Sequence, residues 1–459
     1  MKDIRIEEFD VLTIRKMTED NVRNIKALPI KEDSSFVYVL TAGEEKENIE
    51  EIKFKFGKEV ELIKIDEGKL DFFIQMVYLG QKQDSEEIIM KNAIAEKASD
   101  IHFEPYKDKV MVRYRIDGLL KVKYIMTKTE YQSLVSKIKI NAGLDITERR
   151  KPQDGKISLK HNKYTYDIRV SITPVIFGEK IVLRVFYGNI SKYSLDNLKL
   201  VKEQLVVLEK IIKRKTGMVI VNGPTGSGKS TTLYTILQHE NTPDINIITL
   251  EDPVEVIIPG INQVMVNTKE SINFAEGIKS ALRQDPDVIM LGEIRDEDTA
   301  EMAIRAALTG HKVYTTIHCK EPREVYFRLE EMGVKKYLIK DALIGIISQR
   351  LIRLLCDSCK VEDDTDGKGR VHYKRGKGCE KCSFTGYLGR SLVAAVYYLD
   401  KKTREQLGNI YDNERILSNE LMKDNLDYLL AQGNISQDDY QDFIEREEII
   451  AREDEDSFQ

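Results

Sequence analysis

Nothing in the 459-residue chain approaches the ~20 consecutive uncharged apolar residues that a membrane-spanning helix needs. The longest apolar run of interest, residues 392–399 (LVAAVYYL), has only the length of a strand. The N-terminus, MKDIRIEE, carries acids and no apolar stretch, so no secretory signal is visible and a chain made and kept in the cytosol is expected. Positive charge is not in excess: 71 Lys and Arg against 77 Asp and Glu leave a net charge of −6. That argues against a dedicated nucleic-acid binder while leaving room for local basic patches. Cysteine is scarce. Four of the five stand in two pairs, which points to a metal rather than to disulfides in a reducing compartment. What the chain does have is 41% hydrophobic residues, enough for real cores, and 32% charged residues, enough for a heavily solvated surface. Its length calls for roughly two to four domains.

The pattern changes along the chain. Residues 1–80 read as a small N-terminal α/β module, with strands at 36–40 and 60–65 and helices at 44–56 and 69–79. No chemistry is evident there, and a partner-binding or regulatory role is the default expectation. Asp84 and Glu87 predict a capping box for a helix reaching about Ala98. Residues 81–190 form a second, mostly β domain, with strands at 100–104, 110–115, 166–170 and 180–186 and a helix over 128–141. Turns are expected at Asp117-Gly118 and Asp154-Gly155. Residues 191–197 lead into a region, 198–355, where strands at 217–222, 246–250, 262–266, 287–292 and 312–317 alternate with helices at 228–238, 274–284 and 297–309. Such alternation predicts an α/β fold with a largely parallel sheet covered by helices. A cysteine-bearing insert (356–384) and a C-terminal helical region (385–459) follow. The acidic tail from Asp412 is expected to be helical in part and to fray over residues 452–459.

Residues 223–230 read GPTGSGKS, a complete phosphate-binding loop with an apolar strand (218–222) before it and a helical pattern (231–237) after it. Its glycines let several N–H groups converge on one anion, and the following helix adds the positive end of its dipole. The nucleotide-binding set is therefore Gly223, Pro224, Thr225, Gly226, Ser227, Gly228, Lys229, Ser230 and Thr231, with Lys229 on the β- and γ-phosphates and Ser230 on Mg²⁺. Hydrolysis also needs an acid near the Mg²⁺, a carboxylate to orient water, and positive charge on the γ-phosphate. Residues 287–293 (DVIMLGE) form an apolar strand ending in Glu293, a Walker B arrangement that would deliver its acid to the metal from a strand beside the phosphate-loop strand. Residues 248–255 (ITLEDPVE) end a second apolar strand in carboxylates, with Pro253 stiffening the turn. Either Glu251 or Glu255 could polarise the attacking water. His311 and His318 bracket the last strand at opposite ends, one able to sense the γ-phosphate and the other to meet a neighbouring subunit. Arg169, Arg184, Arg283 and Arg295 are the cationic candidates, an arginine from a separate domain being suited to an arginine finger.

Cys356, Cys359, Cys379 and Cys382 form two C-x2-C turns with nineteen residues between them, a spacing that predicts one tetrahedral S4 zinc site. With every position held by cysteine, the Zn²⁺ is structural rather than catalytic. Cys319 is left as a free thiol.

With these pieces in place, the chain resembles the secretion ATPases of type II secretion and type IV pilus assembly, in their pilus-building, extension-type branch. The resemblance covers about residues 85–400. It is carried by 98–105 (ASDIHFEP), 113–118 (RYRIDG), 148–155 (ERRKPQDG), 178–184 (GEKIVLR), the Asp box at 250–255 (LEDPVE), the Walker B region at 282–296 and the His box from 309 to His318. The tetracysteine segment sets the building branch apart from the retraction branch. The resemblance implies a RecA-like ATPase core assembled as a homo-hexamer, preceded by a PAS-like α+β domain. It selects Glu255 as the catalytic glutamate and Glu293 as the Walker B acid on Mg²⁺. It places Arg169 and Arg184 on the ATP, and gives His318 a catalytic role. It also implies a polytopic inner-membrane platform protein as partner, peripheral attachment at the cytoplasmic face through that partner, and pilin or pseudopilin assembly as the work done. Two departures stand out. The N-terminal module lacks a long helical recruitment region, and residues 389–395 read GRSLVAA where the family has an acid at the last position. Two other readings compete with this one: a RecA-like nucleic-acid motor with a zinc ribbon, motivated by the basic stretches 149–151 and 213–215, and a non-catalytic, nucleotide-gated scaffold.

Overall fold

A computed structural model describes residues 6–43, 46–187, 194–266, 273–365, 371–406, 417 and 419–457. Parts of the expected helix from residue 44, of the connector at 191–197 and of the tail (412–416, 458–459) lie outside the described residues. The chain divides into two units, Met1–Tyr187 and Gly188–Gln459.

The first unit holds two sheets with separate cores. β1 (Ala27–Glu32), β2 (Phe36–Thr41) and β3 (Glu59–Lys64) pack against the Glu67–Tyr78 helix around Phe9, Leu28, Leu40, Phe73 and Tyr78. A six-stranded antiparallel sheet follows, from β4 (Asp100–Pro105), β5 (Val110–Ile116), β6 (Leu119–Met126), β7 (Gln153–His161), β8 (Tyr164–Val175) and β9 (Gly178–Phe186), in the order β6-β5-β4-β9-β8-β7. Period-2 alternation sends Ile168, Val170 and Ile172 of β8 into a core with the helices Ser85–Ala95 and Lys128–Asn141, and leaves Arg169 exposed on the opposite face.

Two local expectations are corrected here. Asp84 stands at the N-cap of the Ser85–Ala95 helix without a side-chain cap bond, because its backbone is not in the extended conformation that aims a cap. The capping box in this unit forms at Thr127 and Glu130 instead. Asp117-Gly118 does make the two-residue β5–β6 turn, with φ of 51° and 83°. Asp154-Gly155, however, lies inside β7. The glycine is required there by close packing: a Cβ on Gly155 would stand 2.8 Å from the Ala142 carbonyl oxygen.

The second unit is built on a seven-stranded sheet. Its strands are β10 (Gly217–Asn222), β11 (Ile247–Glu251), β12 (Asn262–Met265), β13 (Val288–Leu291), β14 (Lys312–Ile317), β15 (Leu343–Leu355) and β18 (Tyr387–Tyr398), while β16 (Val361–Thr365) and β17 (Val371–Lys374) form a separate ribbon. The order is β12-β11-β13-β14-β10-β15-β18, parallel except for the antiparallel edge strand β18. Strands β10, β11, β13 and β14 are buried at every residue, which is why β10 and β13 read as near-continuous apolar runs, while β11 and β14 also bury Thr249, Glu251, Lys312, Thr315 and Thr316. Alternate residues of β10 serve different cores. Met218 and Ile220 meet the layer holding the Glu297–Leu308 helix, and Val219 and Val221 meet the layer of the Lys229–Glu240 helix.

Sheet order corrects one expectation: β14, not β13, is the partner of β10 on the side facing Glu293, so the Walker B strand is one place removed from the phosphate-loop strand. A helix runs over Gln437–Ser457, and Arg350 on β15 grips Glu447 with two hydrogen bonds, 2.7 and 3.0 Å. Ala395, where the resemblance leads one to expect an acid, is fully buried in a small core with Met422 and Leu426. Among the described residues no helix is long and apolar enough to cross a membrane.

Candidate nucleotide site and tetracysteine centre

The phosphate loop leaves the end of β10 and enters the Lys229–Glu240 helix. Gly223 cannot be another residue without moving the backbone, since its φ is 149° and a Cβ would stand 2.4 Å from the Gln349 carbonyl oxygen. Gln349, one strand over on β15, also donates to the Ser227 carbonyl at 2.8 Å, so the sheet holds the loop from both sides. Pro224, Thr225 and Gly226 form the exposed crest, Ser227 is buried, Ser230 is half-buried at the start of the helix, and Thr231 is exposed beside it.

Lys229 is buried under the loop and donates to the carbonyls of Gly223 (2.8 Å) and Pro224 (3.0 Å). Burial, opposed by Glu293 and assisted by Arg350, pushes its ammonium down to about 8. Nδ1 of His318, at the end of β14, lies 3.4 Å from the Lys229 Nζ, and His318 Nε2 lies 3.7 Å from Glu293 Oε2. Glu293 also pairs with Arg295. Burial and then the Lys229 charge lower the His318 pKa, so the imidazole stays neutral near pH 7 and can accept or donate without adding charge. Lys229, His318 and Glu293 thus meet where β10, β14 and β13 end. Thr316 ties the latter two ends together by donating to the Gly292 carbonyl at 2.7 Å.

The two glutamates after β11 have different surroundings. Glu251 is buried and accepts from Tyr234 Oη, from Thr249 Oγ1 at 2.6 Å and from Gln263 Nε2 at 3.1 Å. Glu255 is exposed, and its backbone N–H donates to the Tyr234 hydroxyl at 3.3 Å. A carboxylate already holding three donors has little capacity left to orient water. Tyr234 and Gln349 were not singled out from sequence. Their one visible signal was a polar atom inside an apolar strand or helix pattern, which is common.

The other candidates are placed as follows. His311 Nδ1 faces the Ala306 carbonyl at 3.1 Å, at the end of the helix before β14. Arg283 donates to the Lys279 carbonyl at 3.0 Å. Arg169 and Arg184 belong to the first unit, directly opposite each other on β8 and β9. Arg184 pairs with Asp100 at 2.9 Å, and the Arg169 guanidinium lies 5.1 Å from the Phe186 ring centre.

Cys356, Cys359, Cys379 and Cys382 bring their sulfurs within 4.8 Å of one another. The separations 356–379 and 359–382 are both 3.8 Å, and 379–382 is 3.9 Å. Four sulfurs around one zinc at about 2.3 Å would stand about 3.8 Å apart, so the cluster fits a tetrahedral Zn²⁺ site. Burial works against the Cys382 thiolate, but N–H groups of Cys379 and Gly386, each 3.2 Å from the sulfur, outweigh it and pull the thiol down to about 6. Cys319 is buried away from the cluster, and burial pushes its thiol up to about 12.

Known proteins agree with this architecture. The family model described as type II/IV secretion system protein matches residues 82–438. The chain is 42% identical over 338 residues to the putative type II secretion system protein E of Escherichia coli K12, covering 72% of this chain and 69% of that protein. It is 40% identical over 327 residues to the type II secretion system ATPase E of Vibrio cholerae, covering 69% and 65%. It is 40% identical over 332 residues to the type IV pilus assembly ATPase PilB of Thermus thermophilus, covering 70% of this chain but 37% of that one. The chain therefore spans about two thirds or less of its relatives' own length. Among solved structures, the Legionella pneumophila ATPase DotB shares the fold, with a TM-score of 0.60 and 23% identity over 79% of this chain and 94% of that one. The pilus retraction motor PilT with bound ADP gives a TM-score of 0.52 at 26% identity, over 78% and 96%. The chain belongs to the type II/IV secretion system protein family.

Proposed function

We propose that this chain is a Mg²⁺-dependent ATPase that works as a homo-hexamer and drives assembly of a pilin or pseudopilin filament. The observation that carries the reading is the meeting of Lys229, His318 and Glu293 at the ends of β10, β14 and β13, beside a glycine loop whose shape the sheet enforces. Lys229 gives its charge to the β- and γ-phosphates by exchanging two loop carbonyls for phosphate oxygens. Ser230 and Glu293 offer a hydroxyl and a carboxylate, the hard oxygen donors that suit Mg²⁺, which neutralises phosphate charge when bound. Glu255 orients the attacking water, and neutral His318 reports the state of the γ-phosphate to Glu293. Arg169 and Arg184 are proposed to add positive charge to the phosphoryl group in transfer. The four cysteines hold a structural Zn²⁺. As the sequence resemblance implies, the motor is proposed to act at the cytoplasmic face of the inner membrane, on a polytopic platform protein.

Steady-state ATP hydrolysis tests the reading. Lys229→Ala should lose nucleotide binding and turnover together, whereas Glu255→Ala should lose turnover and keep binding. Undiminished hydrolysis by Glu255→Ala would show that the water-orienting carboxylate is misassigned.

A further inference from the structure

Tyr234 lies five residues beyond Lys229, on the helix that the phosphate loop opens. Its hydroxyl donates to Glu251 and accepts the Glu255 N–H at 3.3 Å, so one phenol joins the phosphate-loop helix to the backbone of the candidate water-orienting residue. Gln263 on β12 grips the same loop further along. Its amide nitrogen donates to Glu251 at 3.1 Å and to the Val256 carbonyl at 2.9 Å, and its carbonyl accepts the Ile258 N–H at 2.7 Å. Thr249 completes the set on Glu251 at 2.6 Å, and the Glu251 carbonyl accepts the Val266 N–H at 2.8 Å. The loop bearing Glu255 is therefore held at residues 255, 256 and 258 by two side chains, both fastened to one buried carboxylate.

We propose that Tyr234 is a positioning residue: hung on Glu251, it sets the loop that carries Glu255 and passes movement of the phosphate-loop helix to that carboxylate. The inference rests on the reading of Glu255 as the water-orienting residue. Tyr234 acts through the Glu255 loop, so its loss should change the rate of the chemical step and leave nucleotide binding alone. Burial and the neighbouring Glu251 both raise the phenol's pKa, which keeps the hydroxyl a donor throughout the working pH range.

The test is Tyr234→Phe, which keeps the ring in its core and removes only the hydroxyl. Steady-state kinetics and equilibrium binding of a fluorescent ATP analogue are read on the full chain. Expected is a fall in kcat of about tenfold with KM and Kd within about twofold of wild type. Gln263→Met should give the same signature from the other side of the loop. The double variant should lose less than the product of the two, because both act on one element. An unchanged kcat in Tyr234→Phe, a raised Kd at unchanged kcat, or independent multiplication of the two effects would overturn the proposal; if Tyr234→Phe fails to fold, Gln263→Met carries the same criteria. Glu255→Ala run alongside separates the two levels. If it hydrolyses as wild type, the functional reading fails and this inference with it. If it is inactive while Tyr234→Phe turns over normally, only the positioning role is lost.

Discussion

The nucleotide site and the tetracysteine centre are both made of loops that gather polar groups around one point, but different things hold them. The phosphate loop is set by protein alone. It is braced by β10 beneath it, by Gln349 of β15 beside it and by the Lys229 ammonium bonded to two of its own carbonyls. The cysteine turns lie beyond the end of β15, among short polar segments, and among the described residues the β16–β17 ribbon stands between them. Their main organiser is the set of sulfurs, three of whose separations match a shared zinc ion. A site built by the sheet should survive loss of its ligand, while a site built by its ligand should not.

That contrast can be broken most forcefully at the cysteines. Cys382→Ser, or chelation, should release the zinc and abolish hydrogen-exchange protection over residues 371–386, since structural zinc supplies on the order of 10 kcal/mol of local folding in such modules. Nucleotide affinity of the same sample should change by less than about threefold. A parallel collapse of both sites would show that they are one cooperative structure. Next in size, Gly223→Ala should weaken ATP binding by about tenfold or more and destabilise the chain by about 1–3 kcal/mol, measured by isothermal titration and denaturant unfolding, because the new Cβ meets the Gln349 carbonyl.

A pH series gives the smaller effect. With Lys229 depressed to about 8 in the free protein, binding a polyphosphate, which favours the charged ammonium, must take up a proton above that pH. Affinity should therefore weaken as pH rises from 8 to 10, by up to about tenfold per unit, and Lys229→Met should flatten this dependence. The same shift makes the fold itself gain stability between pH 8 and 10.5. In that window the unfolded chain binds the proton that the buried lysine has released.

The sequence revealed most where local pattern and final environment coincide. Strands β10, β11, β13 and β14 are buried on both faces, so their largely apolar runs announced them, and the glycine loop and the paired cysteines carried their own chemistry. It revealed least where the outcome depends on distant partners. Asp117-Gly118 and Asp154-Gly155 look alike as dipeptides, yet the first turns a hairpin with positive φ and the second runs straight through a strand because Ala142 and Leu144 crowd its face. Spacing cannot order a parallel sheet, so the insertion of β14 between β10 and β13 was not visible, nor was the consequence that His318 reaches Lys229 from the strand adjacent to β10. Spacing alone could not choose between Glu251 and Glu255, although the resemblance pointed to Glu255, because Tyr234, Thr249 and Gln263, which occupy Glu251, come from three different elements. Ala395 shows the same limit: the missing acid reads as a loss, but its position is sealed in a core where a carboxylate would lack water.

On the proposed reading, protein geometry alone arranges a phosphate cradle flanked by Glu293 and Glu255. A structure of the full chain with a non-hydrolysable ATP analogue and Mg²⁺ tests it most directly. Expected is Lys229 Nζ on the β- and γ-phosphate oxygens, Glu293 on the metal side and Glu255 within one water of the γ-phosphorus. A γ-phosphoryl group lying beyond reach of both glutamates would contradict it.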